Sequence, residues 1–148
     1  MLNKVKIIEC PRDAMQGIKT FIPTKIKLNY LQSLVNVGFD VVDIGSFVSS
    51  KAIPQLSDTS KIIDSIDLSN SDSKLLVIVA NKKGALNASK YKKISYLGYP
   101  FSISETFQLR NTNKNINDSF NELADIISVA KEVNKEVVVY LSMCFGNH

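Results

Sequence analysis

The chain alternates between short continuous apolar runs and longer stretches whose apolar residues recur at helical spacing. Val5-Lys6-Ile7-Ile8 reads as a buried first strand, and Glu9-Cys10-Pro11-Arg12-Asp13-Ala14-Met15-Gln16 follows it as a turn. Pro11 removes a backbone donor and fixes φ, so Arg12 and Asp13 fall at or just past the strand's end. Thr24 is placed to cap a helix running to about Val37, with Leu28, Leu31, Leu34 and Val35 on one face and Gly38 as its terminator. Phe39 to Gly45 is a second buried strand, and Ser46 to Lys51 a polar loop. Asp58 or Thr59 caps a second helix through Ile62, Ile63 and Ile66, and Ser69 to Ser73 is a turn. Lys74 to Ala80 is the clearest strand, a continuous apolar run of the kind a parallel sheet requires.

The second half repeats the alternation. A short helix covers Ala85 to Tyr91, and Ile94 to Ser102 gives a fourth strand weakened by Gly98 and Pro100. Ser104 to Asn115 reads as a long polar loop. Asn117, Asp118 or Ser119 caps a helix with Phe120, Leu123, Ile126, Ile127, Ala130 and Val133 inward, and Glu136 to Met143 is a fifth strand. The order βαβαβαβαβ, without hairpin signals, predicts an α/β fold of parallel strands joined by four helices. No glycine-rich dinucleotide or P-loop fingerprint follows any strand. Polar loops after several strands suit a (β/α)8 barrel, which needs about 250 residues; a partial TIM barrel over residues 1–148 is therefore expected.

Composition narrows the function classes. Apolar content of 45% and charged content of 22% are those of a globular protein. No apolar run approaches the roughly 20 residues of a membrane span, and no signal-peptide pattern opens the chain, so a cytoplasmic location without membrane partners is expected. Cys10 and Cys144 are far apart and lack metal spacing, which favours reduced thiols. The net charge of +4 comes from scattered lysines such as Lys25, Lys27, Lys61 and Lys131. These read as solvated helix-face lysines and not as a nucleic-acid surface.

Four stretches together carry a resemblance: Glu9 to Gln16, Gly45 to Gln55, Ser104-Glu105-Thr106-Phe107 and Asn113-Lys114-Asn115-Ile116-Asn117. The chain resembles the N-terminal half of hydroxymethylglutaryl-CoA lyases, metal-dependent TIM barrels of a group that also holds alkylmalate synthases. The Arg-Asp-x-x-Gln element is common to that group, and the Gly45–Gln55 loop is more particular to the lyases. The resemblance implies retro-Claisen cleavage of an acyl-CoA to acetoacetate and acetyl-CoA, with a divalent metal, Mg²⁺ or Mn²⁺. On the family pattern Asp13 is a metal ligand, a hard oxygen donor suited to such ions. Arg12 is the cation that binds substrate and faces the developing enolate. Asp43 stands where the family has Glu, in a catalytic proton-transfer or site-organising role, and Gln16 and Ser46 are substrate-binding.

Departures from the pattern are as specific as the matches. Ala14 replaces a Gly, the approach from Glu9 to Pro11 is one residue shorter, Asp43 is a methylene shorter than Glu, and Ser50 replaces Pro. The family's His-x-His pair, a later Asn and a glycine-rich cysteine loop have no counterpart here, and the one histidine is His148. The metal site is thus expected to be incomplete, and the 148 residues alone to lack lyase activity. Edge strands one and five are expected to pair with a C-terminal half-barrel or with a second copy. The alternatives are a related acyl-CoA aldolase or alkylmalate synthase, or a non-catalytic half-barrel serving as an interaction module.

Overall fold

The structure, a computed structural model, describes residues 5–146. Five parallel strands, β1 (Ile8–Glu9), β2 (Val41–Ser46), β3 (Lys74–Ile78), β4 (Ile94–Ser102) and β5 (Glu136–Ser142), lie side by side in chain order. Among the described residues each strand hydrogen-bonds only to its sequence neighbours, and the sheet curls as half of a barrel with β1 and β5 as its edges.

Side-chain alternation along the strands builds two cores. Leu75, Val77 and Val79 point outward and pack with Leu31, Val35, Ile62, Ile63, Leu97 and Ile126 beneath the helices. Leu76 and Ile78 point inward and join Val41 and Tyr96, with Val138 and Tyr140 against them, in the concave interior. Period-two alternation with both faces apolar accounts for the continuous hydrophobic runs.

Six α-helices lie among the described residues, where the sequence pattern predicted four: α1 (Pro11–Gln16), α2 (Thr24–Val37), α3 (Thr59–Ser65), α4 (Lys82–Ser89), α5 (Glu105–Thr112) and α6 (Ile116–Glu132). The stretch expected as a turn after β1 is α1. Pro11 sits at its first position, where a missing N–H costs nothing and the fixed φ favours the helix. The stretch expected as a polar loop contains α5. Its sequence, Glu-Thr-Phe-Gln-Leu-Arg-Asn-Thr, has no apolar stripe to reveal it. It is held by the Ser104 hydroxyl, which accepts from Phe107 N at 3.4 Å, and by the buried Gln108 side chain. Gln108 donates to Ser119 Oγ at 2.7 Å and accepts from Ser102 N at 2.8 Å, fastening α5 to α6 and β4.

Several boundaries also shift. β1 is shorter and later than Val5–Ile8, α4 starts at Lys82 behind an Asn81 cap, and α6 starts at Ile116 because Asn115 Oδ1 takes the Asp118 N–H at 2.7 Å. Gly38 ends α2 as expected, at a φ of 88°. Thr24 is the first helical residue and not the cap; its hydroxyl donates to Asp58 Oδ2 at 2.7 Å. Asp58 in turn makes no cap bond to α3, because Lys27 Nζ occupies its other oxygen at 2.6 Å. Lys27, expected among the solvated lysines, is fully buried. Its ammonium also donates to the Gln55 carbonyl and lies 4.2 Å from the Phe21 ring centre. The Gln55 side chain takes the Ile22 N–H at 2.9 Å and donates to the Ile18 and Thr20 carbonyls, each at 3.0 Å. This cluster pins the segment between α1 and α2 to the 3₁₀ turn at Pro54–Leu56, and so fixes the exit of α1. No helix among the described residues is long and apolar enough to cross a membrane.

Candidate active site

At the C-terminal ends of the strands, where parallel barrels carry their chemistry, lies a cavity of about 660 Å³. Arg12, Asp13 and Gln16 of α1 line one side, Val48 and Ile53 of the β2 loop another, and Asn111 of α5 and Lys114 just beyond it the rim. Tyr140 of β5 and Cys10 also line it.

Arg12 is the hub. Its Nε and Nη2 donate to Asp43 Oδ2 at 3.0 and 2.8 Å, and Nη1 donates to Asp13 Oδ1 at 2.9 Å and to Gln16 Oε1 at 3.1 Å. The guanidinium is only 11% exposed and held on three sides. A planar fork with donors in fixed directions allows this; a lysine ammonium could not span the same acceptors. Short α1 produces the arrangement, since residues 12 and 16 lie one turn apart on one face.

Asp43 comes from inside β2 and not from its end. The pairing with β3 shifts register between Asp43 and Gly45, and the Asp43 carboxylate, fully buried, lies beneath Arg12. Tyr140 Oη donates to the same Oδ2 at 3.4 Å, while Oδ1 is buried and makes no hydrogen bond to the described residues. Burial pushes the Asp43 carboxyl above its ordinary range, with Arg12 pulling the other way. For Arg12, burial opposes the charge, yet the bonds to Asp43 more than offset it and hold the guanidinium above its ordinary value. Burial, then the adjacent Asp43 carboxylate, pushes the Tyr140 phenol strongly up. Burial likewise raises the Cys10 thiol, whose sulfur lies 3.9 Å from Tyr140 Oη.

The residues singled out from the sequence divide into two groups. Arg12, Asp13, Gln16 and Asp43 are brought together. Ser46 is not: it is buried, its hydroxyl donates to the Ile78 carbonyl at 3.3 Å and accepts from Val48 N at 3.1 Å, and it does not line the cavity. Both bonds close the end of β2. Tyr140 is a site residue that the sequence pattern places only within the fifth strand. A single phenol among Val137, Val138, Val139 and Leu141 was the available signal.

The same geometry tests the implied metal. Among the described residues no group of three or more His, Cys, Asp or Glu side chains is arranged to hold an ion. Asp13 is exposed, and one of its oxygens is taken by Arg12. The described residues do not by themselves fit a bound divalent cation. His148 lies outside the described residues.

No family model matches the chain, but individual proteins do. It is 35% identical over 145 residues to the mitochondrial hydroxymethylglutaryl-CoA lyase of Arabidopsis thaliana, covering 96% of this chain and 30% of that protein. It is 32% identical over 145 residues to the cytoplasmic 3-hydroxy-3-methylglutaryl-CoA lyase of Rattus norvegicus, covering 96% of this chain and 41% of that one. Among solved structures, the HMG-CoA lyase of Bacillus subtilis superposes with a TM-score of 0.89 at 30% identity, over 96% of this chain and 48% of its own. In sequence and in fold the chain matches the N-terminal half of the hydroxymethylglutaryl-CoA lyase family.

The chain spans about a third to a half of the length of these lyases, which accounts for a half-barrel with two free edges. A further lyase, from Acinetobacter baumannii, was solved in complex with coenzyme A and 3-methylmalate; it superposes with a TM-score of 0.81 at 30% identity, over 91% of this chain and 45% of its own. Lyases named cytoplasmic and lyases named mitochondrial are both among the relatives.

Proposed function

We propose that this chain supplies the enolate-stabilising half of a hydroxymethylglutaryl-CoA lyase-like site, which cleaves its acyl-CoA to acetoacetate and acetyl-CoA within a complete barrel. The observation that carries the reading is Arg12, a guanidinium locked by Asp43, Asp13 and Gln16 and presented to the cavity. In the cleavage the tertiary hydroxyl loses its proton and its oxygen becomes the ketone. The carbon–carbon bonding pair moves onto the thioester's α-carbon, the enolate charge spreads to the thioester oxygen, and the α-carbon then takes up a proton that balances the one lost by the hydroxyl, giving acetyl-CoA. A donor fork fixed before that charge develops stabilises it without reorganisation. Asp43, fully buried under Arg12, acts here by positioning the fork and not by exchanging a proton with substrate. Asp13 is the exposed carboxylate of the fork and would be one ligand of a divalent cation in a complete barrel, and Gln16 sets the outer edge of the fork. The first helix thus contributes charge and orientation, and the C-terminal half-barrel the remaining groups.

The test is binding at this half-site. Hydroxymethylglutaryl-CoA titrated into ¹⁵N-labelled chain should shift the Arg12 Nε–Hε resonance, and coenzyme A alone should shift it less. An Arg12 resonance unmoved at millimolar ligand contradicts the reading.

A further inference from the structure

Tyr140 and Asp43 touch although their strands are not neighbours. β5 and β2 are separated by β3 and β4, so the Tyr140 side chain reaches Asp43 only by crossing the concave interior. The interior layer it crosses is filled by Leu76, Ile78 and Tyr96. One position in that layer has no side chain. Gly98, in the middle of β4, is paired with Ile78 on one side and Val138 on the other. A Cβ built there would stand 2.7 Å from Ile78 Cδ1, 2.8 Å from Leu76 Cδ2 and 3.0 Å from Tyr140 Cε2. Glycine inside a strand is unfavourable, and marks a place where something approaches the backbone closely. Its φ is not in the left-handed region, so backbone conformation does not account for it.

We infer that Gly98 is a positioning residue: its missing side chain leaves the notch across which the Tyr140 ring lies, and so places the phenol hydroxyl between Asp43 and Cys10. The inference deepens the proposed site but rests on packing alone. Gly98 makes no contact with the cavity; it acts through Tyr140, whose hydroxyl braces the carboxylate that orients Arg12. A methyl group at 98 crowds the ring at 3.0 Å, so the ring must shift by a few tenths of an ångström, enough to weaken a hydroxyl contact already at 3.4 Å. That contact to a buried carboxylate is the one that raises the phenol's proton affinity next after burial.

The test follows the ¹³Cζ resonance of Tyr140, assigned by its loss in Tyr140→Phe. In the wild-type chain it should remain protonated throughout the alkaline range in which the fold persists. In Gly98→Ala it should move, because the ring no longer keeps its hydroxyl at Asp43. Because Ile78 and Leu76 also crowd position 98, Gly98→Ala is repeated in a Leu76→Val/Ile78→Val background, where the tyrosine is the remaining close neighbour. There the resonance should again move on Gly98→Ala, and the background alone should leave it in place. A resonance unchanged by Gly98→Ala in either background overturns the inference. A triple variant that does not fold overturns it too, since the glycine would then be required by the strand itself. Neither result depends on lyase activity, so failure here is distinct from failure of the functional reading.

Discussion

Replacing Lys27 by methionine isolates the cluster that fixes the exit of α1. The Lys27 ammonium is fully buried, bonded to Asp58 Oδ1 at 2.6 Å and to the Gln55 carbonyl, and roofed by Phe21. Methionine matches the shape of the lysine stem but leaves Asp58, itself 6% exposed, without its counter-charge. Breaking a buried pair by removing one partner costs about 3–5 kcal/mol, whereas replacing both by apolar groups is far milder. The Thr24 hydroxyl still donates to Asp58 Oδ2, which offsets the loss only in part, since one neutral donor contributes about 1 kcal/mol. With a urea m-value of about 2 kcal/mol/M, Lys27→Met should lower the unfolding midpoint by roughly 1.5–2.5 M. Lys27→Met/Asp58→Leu should recover much of that, leaving about 1–3 kcal/mol for the Gln55 carbonyl and Thr24 hydroxyl that lose their partners. Equilibrium urea unfolding monitored by far-UV circular dichroism reads both. A single variant costing under about 1 kcal/mol, or a double variant less stable than the single, would refute the buried-pair argument.

Other consequences follow from the same geometry. Arg12→Lys should lower acyl-CoA affinity severalfold and free the Gln16 side chain, measured by calorimetry and by the Gln16 amide resonances, because an ammonium cannot serve Asp43, Asp13 and Gln16 together. Ser46→Ala should cost about 1 kcal/mol in urea unfolding while leaving acyl-CoA binding unchanged. Glu122 is held below its ordinary carboxyl range: burial opposes this, but Lys114 and the Lys82 N–H outweigh it. Its folded-state value lies below the unfolded 4.5, so its contribution is present above that pH and is lost as pH falls through the folded value. Glu122→Gln should therefore flatten the acid limb of a stability-versus-pH curve below about 4.5 and leave the neutral difference constant.

How much of this was legible in the sequence depended on whether a residue's role was periodic. The strands β2 to β5 announce themselves because both of their faces are apolar, and α2 and α6 because one face is. Helix α5 hides because it is fastened by Gln108 and Ser104, polar groups whose partners come from β4 and α6. Lys27 hides for a similar reason: its charge is satisfied by Asp58, 31 residues away, and local pattern treats every lysine as solvated. At the site, Arg12, Asp13 and Gln16 were legible through the Arg-Asp-x-x-Gln element, although the stretch reads as a turn and folds as α1. Asp43 could be placed on its strand, but its position beneath Arg12 needed the register shift in β2. Tyr140 reaches that carboxylate across the sheet's interior, a contact spanning 97 residues that no local spacing encodes.

The central claim is that Arg12 and its partners form half of a carbon–carbon lyase site that needs the other half of a barrel. It is tested most directly by measuring acetoacetate released from hydroxymethylglutaryl-CoA, with Mg²⁺ or Mn²⁺ present. The chain is assayed alone and mixed with the C-terminal half-barrel of the Bacillus subtilis relative. The account predicts no release above the enzyme-free control from the 148 residues alone, release from the mixture, and loss of that release with Arg12→Ala. Release by the chain alone, or release from the mixture that survives Arg12→Ala, would contradict it.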